Sequence, residues 1–261
     1  MKPLRRPLGP VGTVAADRPA AVAGPEGGPM LFLHEVHQVR GTADDAFEAA
    51  YRDGWMSALA AGEAARLLWY CHHAHGTGPA YQVVTITAVA DGAAWEELAG
   101  RVQHGDLRGW AADVDDLRHG VVAKVLLPVS WSPMQTVELA AVPTDGAEHE
   151  PSLYMEDTGW PHAPLDDYIA FWDRGYYQPM VARGSGLLDI QAVFQPALGA
   201  GRRKEAILLQ KIVDQSALLH LLTHDTPPAR KAPGQFMHEA LSYRDRWESR
   251  LLRTASWSPL Y

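Results

Sequence analysis

The chain has 261 residues, 47% of them hydrophobic, enough to fill one large core or two of about 100–130 residues each. Its 23 basic and 31 acidic residues leave a net charge of -8, and the basic ones are scattered, which excludes the clustered footprint that a phosphate backbone requires. A single cysteine, Cys71, excludes an intramolecular disulfide and any thiolate-rich zinc or iron–sulfur site.

In chain order, residues 1–28 carry Arg5, Arg6 and scattered prolines but lack the apolar run of roughly 7–15 residues that a signal peptide uses. They read as a disordered leader. No window of about 18 apolar residues follows, so the expectation is a soluble, cytoplasmic protein with no membrane partner. Met30 to His37 reads as a strand, and Ala43 to Leu59 as a helix with Ala46, Phe47, Ala50 and Tyr51 at helical spacing and Thr42 as N-cap. Two β-rich runs, Ala65 to His72 and Tyr81 to Ala88, flank the turn Gly76-Thr77-Gly78-Pro79. Asp91 then caps a helix ending near Val102, and Val121 to Val129 is a last strand. The order then recurs. A strand near Leu153 leads into a helix from Pro164 to Val181, strands from Gly186 to Phe194 and Glu205 to Val213, a helix from Gln215 to Thr223, and a strand from Glu248 to Ala255.

Three anchors support an internal repeat. Ser130-Trp131-Ser132-Pro133 returns as Ser256-Trp257-Ser258-Pro259, Asp91 faces Asp214, and Gly54 faces Gly175. The predicted fold class is α+β: two ferredoxin-like βαββαβ repeats, over 29–145 and 146–261, packed sheet to sheet as a dimeric-α/β-barrel-like unit. The two Trp-containing tetrapeptides are expected to close a sheet edge or to pack the copies together.

This order of elements and its duplication resemble the dimeric α+β barrel superfamily, in particular the antibiotic biosynthesis monooxygenases. A fused two-unit chain of this length, with an aromatic- and His-rich first copy, is similar to the angucycline B-ring-opening oxygenases of aromatic polyketide biosynthesis. That resemblance implies no tightly bound cofactor. Molecular oxygen would be the co-substrate, with reduced flavin (FADH2 or FMNH2) supplied by a partner reductase as a further option. It also implies a small aromatic substrate, and leaves a homodimer open. The protein's task would be deprotonation and positioning of a hydroquinone or phenol.

The densest chemical cluster is Trp69-Tyr70-Cys71-His72-His73-Ala74-His75. Strand alternation sends Trp69, Cys71 and His73 to one face and Tyr70 and His72 to the other, so one site takes His73 or His72 and no triple-His metal site is expected. His34 shares a face with Phe32 and Val36 while His37 points the other way, so only one of the two can enter a cavity beside the helices. The candidate catalytic bases are therefore His73, His72 and His34, set against a structural role as hydrogen-bonded strand-end residues. Trp55, Trp69 and Tyr177 are candidate walls for a planar ligand, with Gln178 and Arg183 as partners for quinone or phenolate oxygens. Trp55 and Tyr176 hold equivalent repeat positions, which favours a structural role for that pair. Cys71 is assigned to packing, and the first copy is expected to hold the site. Two other classes compete: a haem enzyme similar to chlorite dismutases, for which His220, His224 and His238 are available, and a non-redox cyclase-like scaffold.

Overall fold

The computed structural model describes residues 28–184 and 186–261, so the leader expected over 1–28 lies, Gly28 aside, outside the described residues. Among the described residues eight strands form: β1 Leu31–Val39, β2 Ala65–His73, β3 Gln82–Val89, β4 Arg118–Pro128, β5 Leu153–Trp160, β6 Leu188–Pro196, β7 Ala206–Ile212 and β8 Arg246–Thr254. Every pairing is antiparallel, and the strands close into one barrel in the order β1-β3-β2-β8-β5-β7-β6-β4. The strands run β4-β1-β3-β2 through the first half and, position for position, β8-β5-β7-β6 through the second. The expected barrel-like unit forms, and its two halves close it edge to edge rather than by stacking face to face. Cys71–His73 pair with Leu252–Thr254, and Leu126–Pro128 pair with Phe194–Pro196. Edge pairing satisfies backbone groups that two stacked sheets would leave open.

Alternation along each strand divides the core in two. Phe32, Trp69, Cys71, Ile86, Leu126, Tyr154, Phe194, Leu209 and Leu252 fill the barrel interior, as side chains do in a barrel of eight strands. Outside it, the opposite strand faces are covered by helices, with Phe47, Tyr51, Trp55 and Tyr70 in the first half and Tyr168, Phe171, Trp172 and Val193 in the second.

The first-half cover consists of α1 Asp44–Ala49, a π-helical stretch Ala50–Trp55, α2 Met56–Ala60, α3 Gly92–Gln103 and α4 Arg108–Asp116. The second uses α5 Leu165–Trp172, a π-helical stretch Asp173–Tyr177, α6 Gln178–Arg183, α7 Gln215–Thr223 and α8 Phe236–Glu239. Asp91 and Asp214 cap α3 and α7 through hydrogen bonds from Ala94 N and Ala217 N, as expected of N-cap aspartates. Thr42 does not cap: it lies in a 3-10 turn, Gly41–Ala43, and α1 begins without a side-chain cap. The expected single helices are interrupted by π turns at Gly54 and Gly175, where a neighbouring ring takes the space of a side chain. A Cβ on Gly54 would stand 2.8 Å from Trp110 Nε1, and one on Gly175 would stand 3.2 Å from Phe236. Helix α4, which the sequence pattern did not predict, delivers Trp110. Only Trp110 and Val114 mark its apolar face, too sparse a signal after the breaker Gly109.

The repeated tetrapeptides make matching bonds. Each follows the last strand of one half and runs along a strand of the other, where the ladder carries a bulge, between Ile190 and Ala192 on β6 and between Leu67 and Trp69 on β2. Ser132 Oγ accepts from Val193 N at 2.9 Å, and Ser258 Oγ accepts from Tyr70 N at 3.1 Å. Trp131 Nε1 donates to Ile169 O and Trp257 Nε1 to Glu48. They therefore close sheet edges and bind the halves together. With the bulges counted, Ala192 and Phe194 stand where the first half has Trp69 and Cys71.

Candidate active site

Three buried polar groups compete for function. The first lies inside the barrel. His34, 1% exposed, donates from Nε2 to Glu156 Oε2 at 2.7 Å, and Arg250 Nη1 reaches Glu156 Oε1 at 3.3 Å. Burial alone would raise the Glu156 carboxyl, but His34, Arg250 and Lys124 together hold it at about 2. Lys124 pairs with Glu205, whose other oxygen accepts from Trp160 Nε1 at 2.8 Å. Trp69 meets Tyr154 edge to face, and burial pushes the Cys71 thiol up, in line with a packing role. The half-buried ring of His73 lies against Gly78, and burial, then Arg250, lowers its pKa. His34, His73 and Trp69 thus share the interior as alternation predicts, but apolar side chains fill the space around them.

The second group lies between β1, β3 and the helices of the first half. His37 faces this layer, whereas His34 does not. Arg118 Nη1 donates to His37 Nδ1 at 2.8 Å, which leaves Nε2 protonated toward Tyr51 OH and Thr85 Oγ1, each at 3.2 Å. Burial, followed by Arg118, pushes the imidazole well below its ordinary value. It is neutral, fully bonded and has no lone pair to offer. Nearby, Trp55 donates to Thr87 Oγ1 at 3.1 Å and stacks on Trp110.

The third group occupies the matching layer of the second half, where Asp157 stands in place of Glu35, Arg244 in place of Arg118, Tyr176 in place of Trp55 and Gln210 in place of Thr87. Tyr176 OH donates to Gln210 Oε1 at 2.7 Å, and Gln210 Nε2 donates to Asp157 Oδ2 at 2.9 Å. That chain fixes the carboxyl. A further substitution separates the halves: Gly159 occupies the His37 position. Without an imidazole, three buried atoms find no hydrogen-bond partner among the described residues, namely Asp157 Oδ1, Tyr168 OH and Arg244 Nε. A Cβ on Gly159 would come within 2.3 Å of the Tyr168 hydroxyl, so glycine is what lets that hydroxyl enter. Burial raises Asp157 to about 6, opposed by Ser249 and Arg244, and burial raises Tyr168 and Tyr176, which remain protonated donors. Tyr243, Phe171 and Phe236 stack nearby, with centroids 4.5 and 5.1 Å apart. Trp247 and Ser249, on the same side of β8, are exposed, with Arg244 lying over the Trp247 ring at 4.9 Å.

The remaining predicted residues do not converge on any of these groups. His72 donates to Glu48 Oε2 at 3.0 Å on the outer face. Tyr177 stacks on Trp131, Gln178 is exposed and bonds Asp173, and Arg183 is exposed. His220, His224 and His238 are exposed as well, the first two stacked on each other. A surface hollow of about 320 Å³ beside Arg52 and Asp53 contains none of the buried groups. Sequence reasoning missed Asp157, Arg244, Tyr168, Gln210 and Glu156. The available signal was two consecutive acids, Glu156-Asp157, inside an otherwise strand-like run, because a charge within a buried strand needs a reason.

Comparison with known folds fits this geometry. A "putative monooxygenase" from Lactobacillus acidophilus NCFM superposes with a TM-score of 0.54 at 11% identity, over 88% of this chain and 97% of its own. A second protein of that description, from Fusobacterium nucleatum subsp. nucleatum ATCC 25586, gives 0.56 at 8% identity, over 87% and 93%. An anthrone oxidase-like protein gives 0.54 at 10% identity, over 88% and 92%. The chain shares their fold. At such identities the likeness is one of architecture, and site residues rest on this chain's own geometry. No family model and no curated protein sequence matches the chain. Among the described residues, no helix of this fold is long and apolar enough to cross a membrane.

Proposed function

We propose that the protein is an oxygenase acting on an electron-rich polycyclic phenol or hydroquinone of the aromatic polyketide type, with oxidative cleavage or contraction of a ring. In the same reading, its barrel is the internal counterpart of a dimeric α+β barrel, built from two ferredoxin-like units. The observation that carries the function is Asp157: a carboxyl oriented by Gln210, pushed by burial up to about 6, with one oxygen that has no hydrogen-bond partner among the described residues beside Tyr168 and Arg244. A general base works best when its pKa lies near the working pH. Asp157 takes the phenolic proton, Tyr168 and Arg244 hold the resulting oxyanion, and Phe171, Phe236 and Tyr243 form the flat apolar wall. The electron-rich ring then reduces dioxygen, with reduced flavin from a partner reductase as the other source of electrons. The fold likeness to proteins described as monooxygenases and as anthrone oxidase-like supports this choice of chemistry. The site therefore moves to the second half, and His34, His73 and Trp69 become supports inside the barrel.

The test is oxygen uptake with polycyclic hydroquinones, with and without reduced flavin, each against a control lacking enzyme. Enzyme-dependent uptake that Asp157→Asn abolishes is the expected result. Uptake unaffected by that substitution removes Asp157 as the base. No uptake with any substrate, combined with substrate consumption, favours the non-redox scaffold.

A further inference from the structure

Asp157 and Glu156 are consecutive on β5, so one carboxyl faces the helix layer and the other the barrel interior. Their Cα atoms are about 3.8 Å apart, and the strand itself, not water, separates the two groups. The groups that face Asp157 are Tyr168 from α5, Tyr176 from the π turn after it, Gln210 from β7, Ser249 from β8 and Arg244 just before β8. Only Arg244 carries a formal charge among these. Glu156 is 1% exposed and meets His34 from β1 at 2.7 Å and Arg250 from β8 at 3.3 Å, with Lys124 from β4 close by. The interior pairs therefore place a permanent anion, with partly compensating cations, directly behind the candidate base.

We infer that Glu156 and Arg250 are positioning residues that set the proton affinity of Asp157 through the sheet, Glu156 strengthening its hold on a proton and Arg250 weakening it. The inference rests on the reading of Asp157 as the base for its catalytic meaning, but the electrostatic claim stands on the geometry. Two charges about 8 Å apart in a medium of effective dielectric near 20 shift each other's titration by about 1.5 pH units, which the cations beside Glu156 cut to roughly one, and buried pairs are screened little by salt. The Glu156 anion persists at all pH values where Asp157 titrates, because its own cations keep it ionised down to about 2. The sequence holds two adjacent acids so that one, locked in ion pairs, tunes the other, which is free to work.

The test is a carbon-13 titration of the Asp157 side-chain carboxyl in the full chain, assigned by its loss in Asp157→Asn. Glu156→Gln is expected to lower the Asp157 midpoint by roughly one pH unit, and Arg250→Gln to raise it by a smaller amount. Arg250 is less buried than Glu156, so Arg250→Gln keeps the test open if Glu156→Gln does not fold. An unmoved midpoint in a folded variant overturns the inference, as do shifts of the same sign in both, which report loosening instead of charge. Opposite shifts of the acid limb of turnover tie the tuning to catalysis. Opposite shifts in the titration with turnover intact in Asp157→Asn leave the tuning standing and remove the base assignment.

Discussion

Asp157→Asn is expected to raise stability while abolishing turnover. The side chain titrates at about 6 in the folded protein against 3.8 for the free group, so folding favours its protonated form. A carboxyl with a raised folded pKa costs nothing below about pH 3.8. The cost grows as pH rises through the interval to about 6 and is constant above it. Two pH units at about 1.36 kcal/mol each amount to about 3 kcal/mol of destabilisation at pH 8. Asparagine keeps an oxygen for the Gln210 amide and removes the charge, so the variant should be more stable than the wild type by up to about 3 kcal/mol at pH 8 and nearly equal to it at pH 4. Urea denaturation at both pH values, read by tryptophan fluorescence, measures the difference. A variant less stable than wild type at pH 8, or one with the same advantage at both pH values, refutes the reasoning. An active site that holds a destabilised group in place commonly exchanges stability for function in this way.

Three further outcomes follow from the packing. Glu156→Gln leaves Arg250 and His34 without their anion and should cost about 3–5 kcal/mol at pH 7 in the same assay; the wild type should lose that contribution as pH falls from about 4.5 toward 2, because this carboxyl's folded pKa is depressed. Ser258→Ala and Ser132→Ala each orphan a backbone N–H on a buried bulge and should cost about 1–3 kcal/mol apiece, with near-additive effects in the double variant if the two sites act independently. Trp69→Ala empties part of the barrel interior where the second half carries Ala192, and a loss of about 3–5 kcal/mol is expected by chemical denaturation; a loss below about 1 kcal/mol would mean that the interior collapses around the gap.

Much of the architecture was legible in the residues. Alternation along Phe32-His34-Val36 and Trp69-Cys71-His73 predicted which side chains share a face, and Asp91 and Asp214 announced their helices. Local spacing carries that information because strand and helix periods act within a few residues. The π turns were not legible, because they depend on Trp110 and Phe236 arriving from far along the chain to fill the space beside Gly54 and Gly175.

The candidate site lay mostly beyond the sequence. Histidine-rich composition pointed to the first half, where His37 is sealed by Arg118, Tyr51 and Thr85, and to His34, which faces the barrel and Glu156. What sets the second half apart is a missing side chain, Gly159, and its consequence is visible only once Tyr168, Arg244 and Asp157 are brought together from α5, the segment before β8, and β5. Sequence by itself determined the order of the strands, the faces of each strand and the presence of two linked acids. Tertiary structure alone decided which polar groups end up partnered, because hydrogen bonding and desolvation depend on neighbours that other elements of the chain supply, such as Gln210, Arg244 and Ser249.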